Sequence, residues 1–475
     1  MQHRTKILTL TAALFVMGCG SDDNNFNYGF SPNPTSSPVI SAPVAVADSF
    51  TTLGNSVLSG SVTANDTING ATVTAFQNPS NSGGTVAVTA AGQMTYTPPL
   101  NAANVNDTFT YTITNSAGSS TATVTVNVQA RGFFVKNDAP AGGTGTQASP
   151  FNTLAAAVTA ATGVNGAQLV VFRGDGTSTN LNTPVNLSTN QGIQGQDPAN
   201  PPVLTGPVFL SSGNRLAALN FQGTAPAVVN GTNASAGTLT ALNVTTTGNK
   251  AAFLGNATGT WTVSNSRFAN ANFGALDASC STGTLDWTVQ NCTFTNCFGS
   301  VVGNLTNGGT ANQTLTVTNN TFNSGRVQEV IIRGTSTATN MTLTMTNNTV
   351  NGAGTALRGL DILVQNTCNV TASVKDNVVT GCTSQGILLD VQGVSNCAAR
   401  FNNNTLTGNT PTQSFVAGNG GTAGLRVALD GNTADRYVIG GGGVATFVEN
   451  LATIATRNVG PFANTNVSDG PCPAP

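Results

Sequence analysis

The chain reads as an all-β protein in which an antiparallel β-sandwich is followed by a long β-solenoid that opens with a short helix. Three observations predict this. The first is a six-fold echo of V-x-[N/D]-[N/C/S]-x-[F/V/L], at Val263–Phe268, Val289–Phe294, Val317–Phe322, Met345–Val350, Val374–Val379 and Phe401–Leu406. Its third residues, Asn265, Asn291, Asn319, Asn347, Asp376 and Asn403, recur every 26 to 29 residues. A fixed period of this size marks a stacked repeat, in which no single unit can bury its apolar face alone. The second observation is the alternation just before each echo. Apolar residues fall two and four places ahead of the Asn (Leu315 and Val317, Leu343 and Met345), with Thr314, Thr316 and Thr318, or Thr342, Thr344 and Thr346, between them. Period two means a strand with one face inside and one outside. The third is a run of about seven short strand-like segments with turn signals ahead of the repeats, the pattern of a sandwich.

Residues 1–18 precede the folded part. Arg4 and Lys6 form a short basic region, and Ile7–Met17 is apolar but too short to span a membrane, as expected of a signal peptide. The word Val16-Met17-Gly18-Cys19 resembles a bacterial lipobox. That resemblance implies that Cys19 becomes the lipidated N-terminus, held in a membrane at about 0.8 kcal/mol per buried CH₂. Gly20 after the Cys, where an Asp would otherwise stand, implies the outer membrane or cell surface. Residues 19–45, with Ser21-Asp22-Asp23-Asn24-Asn25 and then Pro32, Pro34, Pro38 and Pro43, read as a polar tether that cannot bury a core.

Residues 46–130 are expected to form the sandwich. Strand-like alternation runs through Gly84–Val88, Gln93–Thr97, Thr108–Thr114 and Thr121–Val128, with Phe109, Tyr111 and Ile113 on one face. The words Ala64-Asn65-Asp66-Thr67, Gly92-Gln93-Met94-Thr95-Tyr96-Thr97-Pro98 and Asp107-Thr108-Phe109-Thr110-Tyr111 resemble the cadherin-like, immunoglobulin-like modules of large bacterial surface proteins. Such modules space or adhere. Asp48, Asp66 and Asp107 are weak Ca²⁺ candidates, since Ca²⁺ needs several oxygen ligands; the competing reading gives these Asp residues to turns.

Residues 131–458 are expected to form the solenoid. It starts with Gly132-Phe133-Phe134-Val135, a Gly-rich loop, Ser149-Pro150-Phe151-Asn152-Thr153-Leu154, an Ala-rich helix to Ala161 and the strand Gln168–Phe172. This opening is similar to the N-terminal cap of the pectate-lyase-like superfamily, and capping protects the open end of a stacked core. The resemblance implies a right-handed parallel β-helix. It also implies an asparagine ladder, to which Asn320, Asn348, Asn377 and Asn404 are assigned, with Ser266 and Cys292 as variants. Amides in successive coils bond to each other and to the turn backbone. A second strand is expected ahead of each echo at Val330–Arg333, Leu360–Val364 and Ile387–Val391, and residues 459–475 are expected to form a loose tail.

Composition narrows the chemistry. Lys and Arg number 16 against 18 Asp and Glu, with no basic stripe, so nucleic acid is a poor partner. Losing Arg4 and Lys6 with the leader leaves 14 against 18, a net charge of −4. The one histidine, His3, leaves too, which removes Ser-His-Asp and Cys-His catalysis and any His-ligated metal. No phosphate-binding glycine loop is present, so no nucleotide is expected. The eight cysteines lack zinc spacing; Cys368 and Cys397, one coil apart, are expected to stack in equivalent loops and form a disulfide. No cofactor is implied beyond weakly supported Ca²⁺.

Carboxylate and arginine chemistry remains. If Gly359 aligns with Gly386, Asp361 falls opposite Leu388 and Asp390 opposite Leu363, so both carboxylates share a face in adjacent coils. With Arg333 and Arg358 they are the candidate catalytic residues, against the reading that all four make ordinary surface ion pairs. Three functions follow. The leading one is a lipid-anchored surface protein whose β-helix face adheres or binds carbohydrate or a surface protein without catalysis. The alternative is a polysaccharide lyase or glycoside hydrolase on the same β-helix. The third is a structural or ice-binding surface, suggested by the outward threonines and opposed by Asp286, Lys375, Arg400 and Asn402 in their column.

Overall fold

A computed structural model describes residues 39–469, apart from 183, 226, 249, 306–309, 324–327, 335–339, 410–413, 421–423, 441–444, 448–454 and 465–466. The leader, Cys19 and most of the tether lie outside the described residues, as does Cys472.

The first module has seven strands in two sheets. Leu58–Ser61, Thr85–Val88 and Gln93–Thr97 make one antiparallel sheet. Thr72–Phe76, Val105–Asn115 and Gly118–Val135 make the antiparallel part of the other. Alternation builds the core between them: Tyr96, Phe109, Tyr111, Ile113, Val124 and Val126 are all fully buried, while the intervening threonines pair across the outer face, as Thr112 does with Thr121 at 2.8 Å. The sandwich is not purely antiparallel. Asp48–Gly54 runs parallel to Gly118–Val135, with Phe50 opposite Val126. Parallel neighbours need a long crossover, and here most of the module's chain lies between the two strands.

Gly118–Val135 runs across the expected boundary at 130/131. Its first part pairs with Val105–Asn115, and its last four residues, Gly132–Val135, pair with Gln168–Val171 in the solenoid. One strand therefore belongs to both modules. The joint is tight: a Cβ on Gly132 would lie 2.8 Å from the Gly54 carbonyl oxygen.

The solenoid is parallel throughout and has about nine turns. Each coil contributes three short strands, two of which the sequence locates by residue. In one coil these are Ala311–Thr318, Thr321–Asn323 and Gln328–Gly334. We call the stacked sheets first, second and third in that order. The echoed Asn or Asp is the corner between the first two: Asn265, Asn291, Asn319, Asn347, Asp376 and Asn403 all have φ between 51° and 56°. Asn and Asp tolerate this left-handed conformation better than other side-chain-bearing residues. The last motif position is not part of a turn; it is the inward residue of the short second strand, and Phe268, Phe294 and Phe322 stack there at 5.2 and 5.0 Å. Residues stack on their own kind along the core, Trp261 on Trp287 and Leu315 on Leu343.

The N-terminal cap forms as expected. Helix Leu154–Ala161 is N-capped by Thr153, whose hydroxyl accepts from Ala156 N at 3.1 Å, and it buries Leu154, Ala157 and Ala161 against the first coil. The far end differs from the loose tail expected there. Phe462–Asn464 and Val467–Asp469 add strands to the third and first sheets, giving the previous coil's open edges partners.

Candidate functional site

The four charged candidates lie on the third sheet. Arg358–Val364 pairs with Gln385–Val391, and Asp361 stands opposite Leu388 while Asp390 stands opposite Leu363, the register that aligning Gly359 with Gly386 requires. The offset is one coil sideways and two residues along, or about 8 Å between Cα atoms from ordinary strand spacing and rise. Asp361 is buried and ion-paired: Arg358 Nη1 lies 3.1 Å from Asp361 Oδ2, while Arg358 Nε donates to Gln385 Oε1 at 2.8 Å. Asp390 is half-buried and accepts from Gln392 Nε2 at 2.7 Å. It borders an open groove of about 500 Å³ because Gly418 follows it in the next coil. Arg333 is exposed and shares the Leu363–Asp390 column one coil earlier. The structure thus groups these residues on one face and ties Asp361 to Arg358.

The first sheet's outward face is chemically different. Thr238, Thr262, Thr288, Thr316 and Thr344 stand in one unbroken column, followed by Ser373 and Arg400. Thr314, Thr342 and Thr371 flank it on one side and Thr318 and Thr346 on the other, with Asp286 and Lys375 interrupting the flanks. Next to it runs an exposed amide ladder, Asn312, Asn340, Asn369 and Asn396, each donating from Nδ2 to the one before at 3.0–3.2 Å. Coils about 4.8 Å apart make this a flat array of hydroxyls and amides.

The buried ladder runs through the four expected residues and beyond. Asn320, Asn348, Asn377 and Asn404 are each about 1% exposed. In each, Nδ2 donates to the Oδ1 of the next coil's Asn at 2.9–3.0 Å. Asn432 and Asn458 continue it. The echo missed them because Gly431 takes the left-handed corner, at φ 65°, and Arg457 precedes Asn458. Cys292 and Ser266 hold the same position with a single short side chain: Cys292 N donates to Asn320 Oδ1 at 2.8 Å, and Leu242 N donates to Ser266 Oγ at 3.1 Å.

Cys368 and Cys397, expected in equivalent loops, are offset along their coils. Both are buried thiols. Cys397 is in register with Val370, because Cys368 lies in the turn ahead of that strand, with its sulfur against Gly334. Burial pushes the Cys397 thiol up to about 12 and that of Cys292 up to about 11, so both stay protonated at neutral pH.

The three Ca²⁺ candidates do not converge. Asp107 is enclosed in the sandwich core, where it accepts from Tyr96 OH at 2.6 Å, Ser82 N at 2.7 Å, Thr108 N at 2.8 Å and the Ser80 hydroxyl. Burial pushes its carboxyl up, but those four donors outweigh it and hold the group below the usual range. Asp66 belongs to another cluster, where the Tyr111 hydroxyl lies 2.9 Å from each carboxylate oxygen and Val46 N donates at 2.7 Å. Asp48 adjoins it, raised to about 6 by burial and by the Asp66 charge, against the lowering hydrogen bonds of Tyr111 and Asn65. Among the described residues no group of three or more His, Cys, Asp or Glu is placed to hold a metal ion.

Residues 40–127 match the family of bacterial Ig domains. This supports a surface or extracellular protein, and no helix among the described residues is long and apolar enough to cross a membrane. No curated protein and no solved structure matches the chain. The chain is thus a bacterial Ig domain joined to a parallel β-solenoid, an architecture that fits a surface or adhesion-type protein.

Proposed function

We propose that this is a lipid-anchored surface protein whose solenoid binds carbohydrate without cleaving it. The observation that carries the reading is the outward face of the first sheet, where five aligned threonines and the asparagine ladder beside them offer hydroxyls and amides at regular spacing, with few charges among them. A flat polysaccharide presents its own hydroxyls in such repeats, and many hydrogen bonds of about 0.5–1.5 kcal/mol each then add up along the contact. In this reading Cys19 carries the lipid and residues 19–45 are the tether. The bacterial Ig domain holds the solenoid away from an outer membrane or cell surface. The coil pattern and cap words favour a right-handed parallel β-helix of the pectate-lyase-like kind.

Catalysis on the third sheet is the second reading, favoured by the diagonal placement of Asp361 and Asp390. Two carboxylates on one face in adjacent coils are the kind of groups such hydrolysis uses. The ion pair of Asp361 with Arg358 opposes it, since a general acid must be able to hold a proton.

The test is a panel of insoluble and soluble polysaccharides, with and without Ca²⁺, scored for binding and for new reducing ends. The expected result is binding without cleavage, lost in Thr288→Tyr/Thr316→Tyr with the fold retained by circular dichroism. Reducing ends that vanish in Asp390→Asn would make the protein a hydrolase. Equal binding by the double variant would remove the threonine face from the function. Faceted ice growth with silence on the panel would assign the face to ordered water instead.

A further inference from the structure

The joint between the modules encloses a cleft of about 500 Å³ that belongs to neither module alone. One wall is Thr51 and Leu53 of the sandwich's parallel strand together with Gln129 of the shared strand; the floor is the outward face of the first four coils. Two columns make that floor. Gln168, Gly192, Arg215 and Thr238 form the first; Gln194, Ala217 and Thr240 lie in the second. Gly192 and Ala217 keep it deep. A Cβ on Gly192 would lie 2.4 Å from Gln168 Oε1 and 3.1 Å from the Arg215 carbonyl oxygen, so the place beneath Arg215 has room for no side chain.

Arg215 is the one charged side chain lining the cleft. It is exposed, and none of the ion pairs found among the described residues includes it. A guanidinium offers a planar fork that fits a carboxylate with two parallel hydrogen bonds. Around it stand groups that recognise hydroxyls. Gln168 Nε2 donates to Gly166 O at 2.9 Å, which leaves its Oε1 turned to the space above Gly192. Gln194 and the hydroxyls of Thr51, Thr238 and Thr240 complete the lining. One cation amid neutral amides and hydroxyls, in a half-open cleft at a domain joint, is the chemistry of a small polar anion with several hydroxyls.

We propose that this cleft binds a uronic acid residue of an acidic saccharide, with the sugar carboxylate on Arg215 and the ring hydroxyls on Gln168, Gln194 and Thr51. The cleft takes the first threonine of the outward column, Thr238, into its floor, while Thr288 and Thr316 lie further along the solenoid, so variants at those two positions test the face apart from the cleft. Because the wall comes from the sandwich, the Ig domain acts here as half of a binding site as well as a spacer.

The experiment is titration calorimetry of the purified full chain in detergent with a uronic acid oligosaccharide, its methyl ester, the matching neutral oligosaccharide and inorganic sulfate. Binding of the free acid is expected, with at least a tenfold loss on esterification and a comparable loss in Arg215→Gln. Arg215→Lys should recover part of the affinity. Ala217→Phe, which fills the floor and keeps the guanidinium, should also abolish binding, and Thr288→Tyr/Thr316→Tyr should leave it intact. No heat from the free acid, equal binding of acid and ester, full affinity in Arg215→Gln, or sulfate binding as tightly as the uronate would each overturn the assignment.

Discussion

In the sandwich core four donors converge on one buried carboxylate, Asp107; at the corner of the solenoid the buried polar group is a neutral amide, and it recurs in six consecutive coils from Asn320 to Asn458. The difference follows from geometry. A sandwich has no repeat, so one charge can be surrounded by donors drawn from several strands. A solenoid places the same position about 4.8 Å away in every coil, and a column of carboxylates at that spacing would repel through its whole length. Asparagine avoids this because it donates and accepts at once. Each amide satisfies the next, and the network is self-consistent at any length.

Breaking the ladder should have the largest effect. Asn404→Ala removes an acceptor for Asn377 N and Nδ2 and a donor to Val374 O and Asn432 Oδ1. With several groups left buried and unpaired, the loss should be about 3–5 kcal/mol, read as a lower denaturant midpoint of the solenoid transition. An unchanged midpoint would mean that the ladder is ornamental. Asp107→Ala should cost somewhat less, about 2–4 kcal/mol from the same cause, and should lower the sandwich transition while largely sparing that of the solenoid.

Gln313 sharpens the comparison from the other side. It is about 2% exposed and stands in a core column between Leu285 and Met341, and neither amide atom finds a partner among the described residues. An amide stabilises this fold at the corner, where its neighbours are amides, and costs energy in the wall, where they are not. Gln313→Leu should therefore stabilise the solenoid by about 1–3 kcal/mol, seen as a raised melting temperature.

The smallest effect is a dependence on pH in the sandwich. Asp48 titrates at about 6 when folded against an ordinary value of 3.8, so the folded state holds the extra proton between those values. Stability should rise as pH falls from about 7 to 4. Asp107 is shifted the other way: its contribution is present above 3.8 and is lost as pH falls through its depressed folded value. A melting temperature that climbs and then drops below pH 4 is expected, with the climb absent in Asp48→Asn. Solvent at the half-buried Asp48 keeps the climb small.

Legibility followed the same division. The repeat could be read because every coil must solve one packing problem at one position, so the corner Asn, the ladder amide and the inward Val and Phe recur in the chain itself. Where a coil solved it with other residues, as Gly431 does at the corner ahead of Asn432, the word vanished although the structure did not change. The short second strand was hidden because three residues are too few to show a period.

By itself, then, the sequence determined the two architectures, the register of Asp361 against Leu388 and the position of the ladder. All of these rest on local periodicity and on contacts one coil away. Only the tertiary structure decided that Asp361 is bound to Arg358, that Cys368 and Cys397 are out of step, and that the Ca²⁺ candidates separate into two clusters. It alone placed Thr51 of the sandwich above Arg215 of the solenoid. Those facts depend on side-chain direction and on residues far apart in the chain, brought together by a strand, Gly118–Val135, that serves both modules. A linear pattern carries spacing along one strand, and it does not carry the angle at which that strand delivers one module onto the other.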